Sequence, residues 1–253
     1  MTEKQTILAI ETSTTGCSAA LLIESQSGSS IYESYKDAPR QHTELILPML
    51  DDVLQQADSC LSDIDALAFG CGPGAFTGVR IATSVIQAIS YAADIKVISV
   101  SSLAALAQGA YRRYAYENIV VLSDARMSEV YLACYQNHKG FMTLIGEERL
   151  VKPEYIGDVI GEFCTRHPQW FAVGSGWLEY QKIIEPQLSG FPYVTKLTDN
   201  LPHAQDVAVL AVEKLANNQY GDAISALPVY LRNDVAKKSV DRKNTVKNTV
   251  NIL

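Results

Sequence analysis

Two stretches of the chain carry the same order of hydrophobic patterns, and a duplicated unit leaves few folds open to it. In the first, Thr6 to Glu11 is an apolar run that ends in a carboxylate and reads as a buried strand, followed by a Thr-Ser-Thr-Thr-Gly turn. Ser18 to Ile23 is a second run of strand length, and Ile31 to Tyr35 alternates as a half-buried strand does. His42 to Ala57 changes to helical spacing, with Ile46, Leu50, Val53 and Leu54 recurring. A strand at Ala66 to Phe69, a glycine-rich loop from Gly70 to Gly78, a helix at Val79 to Ala92, a strand at Lys96 to Val100 and a helix at Ser101 to Tyr114 complete the order βββαβαβα.

The second half repeats it. Strands are expected at Asn118 to Ser123, Glu129 to Tyr135 and Phe141 to Glu148, and Pro153 opens a helix where its missing amide donor removes no bond. A strand at Trp170 to Val173, a helix at Trp177 to Leu188, a short strand at Tyr193 to Lys196 and a helix at Ala204 to Ala216 follow. The division expected is 1–108, 109–232 and a tail, 233–253, with the boundary inside Gln108 to Glu117, where three tyrosines and two arginines interrupt the apolar pattern. The tail carries +3 while the rest carries −10, so disorder is expected there, as a basic arm for RNA or an acidic partner or simply as a solvated terminus.

A chain that is 47% hydrophobic and 19% charged over 253 residues is neither disordered nor a disulfide-stapled miniprotein. Its net charge of −7 gives it no general attraction to nucleic acid, so an RNA-related role calls for a partner. Cys17, Cys60, Cys71, Cys134 and Cys164 are scattered, without a CxxC pair, which fits reduced thiols in the cytoplasm and argues against structural zinc. The apolar run Ile7 to Ile10 is too short for a signal peptide or a membrane span, so a soluble, intracellular protein is expected.

Four motifs could carry chemistry, each with two readings. The loop Gly70 to Arg80 joins a strand to a helix and could present amides and Arg80 to an anion, or its glycines could allow close packing; it matches neither the Walker nor the dinucleotide spacing. Thr12, Ser13 and Thr14 could hold a phosphate or make a hydroxyl-rich turn. Asp124 and Arg126 could be functional groups or an ion pair. On two helices the apolar arcs are wide: Leu45, Met49, Val53, Ile46, Leu50, Leu54 and Leu47 cover about 200°, and Ala88, Ile81, Ala92, Val85, Ile89, Ala82, Ile86 and Val79 about 180°, where one core needs roughly 100°. Burial between layers of one domain could explain this, but two such helices favour an intermolecular bundle. His42, His138, His167 and His203 have no metal-binding spacing, and Gly174-Ser175-Gly176 is not a nucleophile elbow, so neither a metal centre nor hydrolase chemistry is expected.

Ile10-Glu-Thr-Ser-Thr14, His42-Thr-Glu-Leu-Ile-Leu-Pro48, Gly72-Pro-Gly-Ala-Phe-Thr-Gly-Val-Arg80, Asp124-Ala-Arg-Met-Ser-Glu-Val-Tyr131 and Pro228-Val-Tyr-Leu-Arg232 together resemble the bacterial TsaB (YeaZ) family, in order, from about residue 6 to residue 232. The resemblance implies the duplicated α/β fold of the actin, Hsp70 and sugar-kinase superfamily, of ribonuclease H-like type, with two βββαβαβα domains. It implies a noncatalytic partner of the paralogue TsaD and the ATPase TsaE in making N6-threonylcarbamoyladenosine (t6A) at adenosine 37 of ANN-decoding tRNAs. Pairing through the two N-terminal helices, as a homodimer or with TsaD, points to His42, Leu45, Met49, Val53, Phe76, Ile81, Val85 and Ala88 as interface residues. The resemblance leaves Thr12, Ser13, Thr14, Asp124 and Arg126 as a weak nucleotide cleft, with no cofactor of the chain's own, ATP or ADP only at the partner interface, and tRNA met mainly through the complex. Where TsaD holds its metal through His-x-x-x-His, this chain has Ser102 and Leu106, neither of which replaces an imidazole ligand. Likewise Glu11, Ser13 and Thr14 stand where superfamily kinases have an Asp-x-Gly-Thr pattern. The competing readings are a small-molecule kinase or ATPase of that superfamily and, less compatible with Ser102 and Leu106, a metalloprotease.

Overall fold

The computed structural model describes residues 4–26, 28–164, 169–187, 194–196 and 201–232. The tail 233–253, His167, Leu188 and Tyr193 lie outside the described residues. The first repeat runs β1 (Gln5–Glu11), β2 (Gly16–Ser25), β3 (Gly28–Asp37), α1 (His42–Gln56), β4 (Ala66–Gly70), α2 (Phe76–Ala93), β5 (Lys96–Val100) and α3 (Ser102–Tyr114). The second runs β6 (Asn118–Arg126), β7 (Glu129–His138), β8 (Phe141–Val151), α4 (Ile156–Cys164), β9 (Trp170–Val173), α5 (Ser175–Glu179), α6 (Gln181–Gln187), β10 (Val194–Lys196) and α7 (Ala204–Ala216).

The duplication is explicit in the sheets. The first has the order β3-β2-β1-β4-β5 and the second, read from its other edge, β8-β7-β6-β9-β10. In each, three strands make an antiparallel meander and the other two join in parallel. This is a duplicated α/β fold, two units of the same strand order. The unbroken apolar runs are the central strands: Ile7, Leu8, Ala9 and Ile10 of β1 and Ala66 to Phe69 of β4 are fully buried, because both faces of that sheet are covered.

The coverings cross over between the repeats. α1 and α2 pack on one face of the first sheet, where Ile46, Leu50, Val53, Ala82 and Ile86 meet Leu8, Leu67 and Phe69. The opposite face is covered by α7 from the second repeat, through Ala204, Val207, Ala208 and Ala211. Reciprocally, α3 of the first repeat lays Leu103, Leu106, Ala107 and Ala110 on the second sheet, whose outer face carries α4 to α6. The chain is therefore layered, with α3 and α7 in the middle. The Ser101 hydroxyl starts α3 by accepting the amides of Leu103 and Ala104.

Two elements depart from the sequence reading. The helix expected from Trp177 is two helices, α5 and α6, separated at Tyr180, whose hydroxyl donates to Asp124 at 3.2 Å. Likewise α2 begins at Phe76, so Thr77 and Gly78 belong to its first turn and not to the loop.

Candidate functional site

Most of the wide apolar arcs is accounted for by the first sheet, and the remainder is open. On α1, Ile46, Met49, Leu50 and Val53 are buried; on α2, Val79, Ala82 and Ile86 are. Leu45, Leu54, Ile81, Val85 and Ile89 are half-buried at the edge of that core. Phe76 and Leu47 are just over half exposed. An open groove of about 410 Å³ runs along α2, lined by Thr43, Phe76, Thr77, Ile81, Ser84 and Val85 with Arg80 on its rim. Of the eight expected interface residues, Leu45, Phe76, Ile81, Val85 and Ala88 thus reach the surface. His42, Met49 and Val53 are corrected to interior positions: Met49 and Val53 fill the core under α1, and His42 bonds the Gly16 carbonyl through Nε2 at 3.2 Å.

Backbone contact decides between the two readings of the glycine-rich loop. A Cβ on Gly78 would stand 2.0 Å from the Thr12 carbonyl oxygen, and one on Gly74 2.5 Å from that of Ser13. The Ala75 amide donates to Ser13 O at 2.7 Å, and Thr12 Oγ1 donates to Gly78 O at 2.8 Å. Here the glycines serve the close approach of the β1–β2 turn to the loop and the first turn of α2. Glu11, where β1 ends, is fully buried; its carboxyl accepts the Ser13 amide at 2.5 Å and the Ser102 hydroxyl at 2.9 Å. Gly70 makes room for it, since a Cβ there would lie 1.9 Å from Oε2. Burial raises the Glu11 pKa against the opposing hydrogen bonds from Ser13 and Ser102.

Such a shift has a defined sign. A carboxyl whose folded-state pKa is raised contributes stability that is complete below the ordinary carboxylate range and is lost as pH rises through the raised value. Glu11→Gln, which keeps the shape and carries no charge, is therefore expected to melt at or above the wild-type temperature at pH 8, with the gap closing toward pH 5. Glu11→Ala leaves the Ser13 amide without its acceptor and is expected to lose about 1–3 kcal/mol. Thermal unfolding across that pH range checks both; a Gln variant as weak as the Ala variant at pH 8 would mean that the ionised carboxylate is required.

At the same junction the two positions singled out by the resemblance are already engaged. Ser102 is engaged with Glu11 and Leu106 is buried in the second core, so neither position offers a ligand. Among the described residues no three His, Cys, Asp or Glu side chains converge as a metal would require. The nearby thiols are also unreactive: burial first, then the charges of Glu148 and Glu11, push Cys71 up to about 12, and burial followed by the Glu11 charge takes Cys17 to about 11.

The second turn is built differently. Asp124 accepts the Arg126 amide at 2.8 Å, forms an ion pair with the Arg126 guanidinium at 3.1 Å and takes the Tyr180 hydroxyl. Arg126, Met127 and Ser128 all have positive φ, and Arg232 holds this strained tip by donating to the carbonyls of Ala125 and Arg126 and to the Glu129 carboxylate. The five nucleotide-cleft residues are thus divided between two turns with different neighbours. Thr12 is bound to the glycine-rich loop, Ser13 lies beneath it, the Thr14 hydroxyl accepts the Gly16 amide, and Asp124 and Arg126 pair with each other.

The sequence gives residues 228–232 no part beyond the family resemblance, yet residues 226–232 tie the repeats together. Gln87 Nε2 donates to Ala226 O at 2.8 Å, the Val229 amide to Cys71 O at 2.7 Å and Arg80 Nε to the Tyr230 hydroxyl at 2.9 Å, before Arg232 reaches the second turn. These bonds span more than a hundred residues, so local pattern carries no trace of them.

The family model described as "TsaD: tRNA N6-adenosine threonylcarbamoyltransferase" matches residues 30–239. The tRNA threonylcarbamoyladenosine biosynthesis protein TsaB of Escherichia coli (strain K12) is 37% identical over 94% of this chain and 99% of its own length. The chain belongs to the TsaB family. The Haemophilus influenzae TsaB is 36% identical over 93% of the chain and 97% of its own length. Among solved structures, YeaZ from Pseudomonas aeruginosa is 42% identical, with a TM-score of 0.78 over 90% of this chain and all of that one. A second structure from the same organism, titled as an uncharacterized protein with similarity to peptidase YEAZ, gives 0.80 at 41% identity over the same shares. The fold shared with these TsaB-family structures takes in both sheets, and none of the described helices is long and apolar enough to cross a membrane.

Proposed function

We propose that this chain acts in t6A biosynthesis as a noncatalytic, cytoplasmic subunit that docks a TsaD-type transferase through the α1–α2 face and works with TsaE. The names of its E. coli and H. influenzae relatives support the pathway. The observation that carries the division of labour is the junction at Ser102: the hydroxyl there is committed to a buried Glu11 carboxyl, and Leu106 one turn on belongs to the core. The positions of Ser102 and Leu106 are closed off inside, while the apolar groove on α2 stays open outside. The same face would pair two copies of the chain in the absence of TsaD. ATP or ADP, on this reading, binds where the partner completes a site, and tRNA is held chiefly by the partner, since this chain carries −7.

Reconstitution tests it. With TsaD, TsaE and the enzyme that makes the threonylcarbamoyl adenylate, t6A formation on a substrate tRNA is expected to fall to background when this chain is left out, and the chain alone with ATP and magnesium is expected to show no turnover. Steady ATP hydrolysis by the chain alone would favour a kinase or ATPase instead. Full t6A formation without it would remove the proposed role.

A further inference from the structure

Arg80 is held in an unusual way for a surface arginine. Its guanidinium carbon lies 3.7 Å from the centroid of the Phe76 ring, one turn earlier on α2, and its Nε donates to the Tyr230 hydroxyl at 2.9 Å. The two aromatic rings are themselves 5.6 Å apart. Two segments distant in sequence therefore fix the side chain, much of whose rotamer entropy is already lost before any partner arrives. Stacking and a single Nε bond leave the two terminal nitrogens, which form the fork that takes a carboxylate in bidentate fashion. Among the described residues those nitrogens have no hydrogen bond and no ion pair, whereas Arg112, Arg126, Arg149 and Arg232 all meet carboxylates. Among the described residues, then, an acidic chain leaves this ordered guanidinium without an acid, beside Ile81 and Val85 at the edge of its open apolar groove.

We propose that Arg80 is the charged anchor of this face: it receives a carboxylate that the docked partner protein presents at the edge of the groove. The inference rests on the docking reading above and adds its chemistry. An apolar groove with a fixed arginine at its margin has the composition of an interface hot spot. The anion is a protein carboxylate and not a nucleic-acid phosphate, because the chain's net −7 repels a polyanion while a single carboxylate on a complementary protein surface feels mainly the local guanidinium. Tyr230 comes from the segment that also carries Arg232, so the second repeat sets the position of the anchor on the first.

Calorimetric titration of full-length variants against TsaD from the same organism, at about 50 mM and about 500 mM salt, tests this. Arg80→Leu is expected to weaken binding about tenfold or more at low salt, with the difference shrinking at high salt. Arg80→Lys restores only part of the affinity, because a lysine neither stacks on Phe76 nor offers a fork. Val85→Glu separates the two claims. If it abolishes binding while Arg80→Leu binds as wild type, the groove stands and the anchor is overturned. A loss in Arg80→Leu of equal size at both salt concentrations also overturns the carboxylate, since it would then be packing that was removed. Unchanged binding by Val85→Glu overturns the groove and the anchor together.

Discussion

Val85→Glu is expected to weaken association with TsaD by more than about a hundredfold, a loss of roughly 2.7 kcal/mol, and to leave the fold intact. In the free chain Val85 is half-buried at the edge of the groove, so a glutamate there can turn its carboxylate to water and cost the isolated domain little. Once a partner covers the groove, that escape is closed, and a carboxylate desolvated without a partner costs several kcal/mol. Leu45→Glu is expected to act in the same direction. The contrast is Val53, which is fully buried: Val53→Glu would unfold α1 from the sheet and report nothing about docking. Size-exclusion chromatography of the variant mixed with TsaD, beside its thermal melt alone, checks the expectation. Co-elution of a folded Val85→Glu chain with TsaD would reject the groove as the docking face.

Val53 and Val85 also show where the sequence is legible and where it is not. Both sit on wide apolar arcs, and periodicity identifies each arc correctly, but it cannot say which part of an arc the sheet will cover. That depends on where α1 and α2 lie on β1 and β4, which is tertiary information. Strand order was more accessible, because Glu11 and Asp124 end equivalent apolar runs and mark the duplication. The crossover of α3 and α7 between sheets was not, since each helix reads as the last element of its own repeat. The glycine-rich loop admitted an anion site or close packing on chemistry alone; the 2.0 Å approach of a Gly78 Cβ to Thr12 O resolves it, and no local pattern encodes that approach. Arg80 could be read as a charge beside that loop, but its stack with Phe76 and Tyr230 depends on a contact across 150 residues.

That crossover makes the α3–α7 contact one of the places where the two repeats are joined, and a buried ion pair lies in it. Asp206, on the first turn of α7, has no solvent exposure; Arg112 on α3 grips it with Nε at 2.8 Å and Nη2 at 3.0 Å. Gly109 is required beneath the pair, for a Cβ there would lie 2.8 Å from both the Asp206 carboxylate and the Arg113 guanidinium. Asp206→Ala is expected to destabilise the protein by about 3 kcal/mol, because it leaves arginine at a helix contact without the carboxylate that offset its desolvation. About a third of the Arg112 side chain is exposed, which keeps the loss at the lower end for buried pairs. For a chain of this size that corresponds to a fall in Tm of about 6–12 °C. Replacing both partners at once, Arg112→Met with Asp206→Leu, removes the Arg112 charge as well as the pair, so part of the loss should return, while the Arg113 guanidinium beside Asp206 still loses its carboxylate neighbour. A double-mutant cycle by thermal unfolding separates the two contributions. If Asp206→Ala melts within about 2 °C of wild type, the pair does not hold the repeats together, and apolar packing of Ala204, Val207, Ala208 and Ala211 against the first sheet is sufficient by itself.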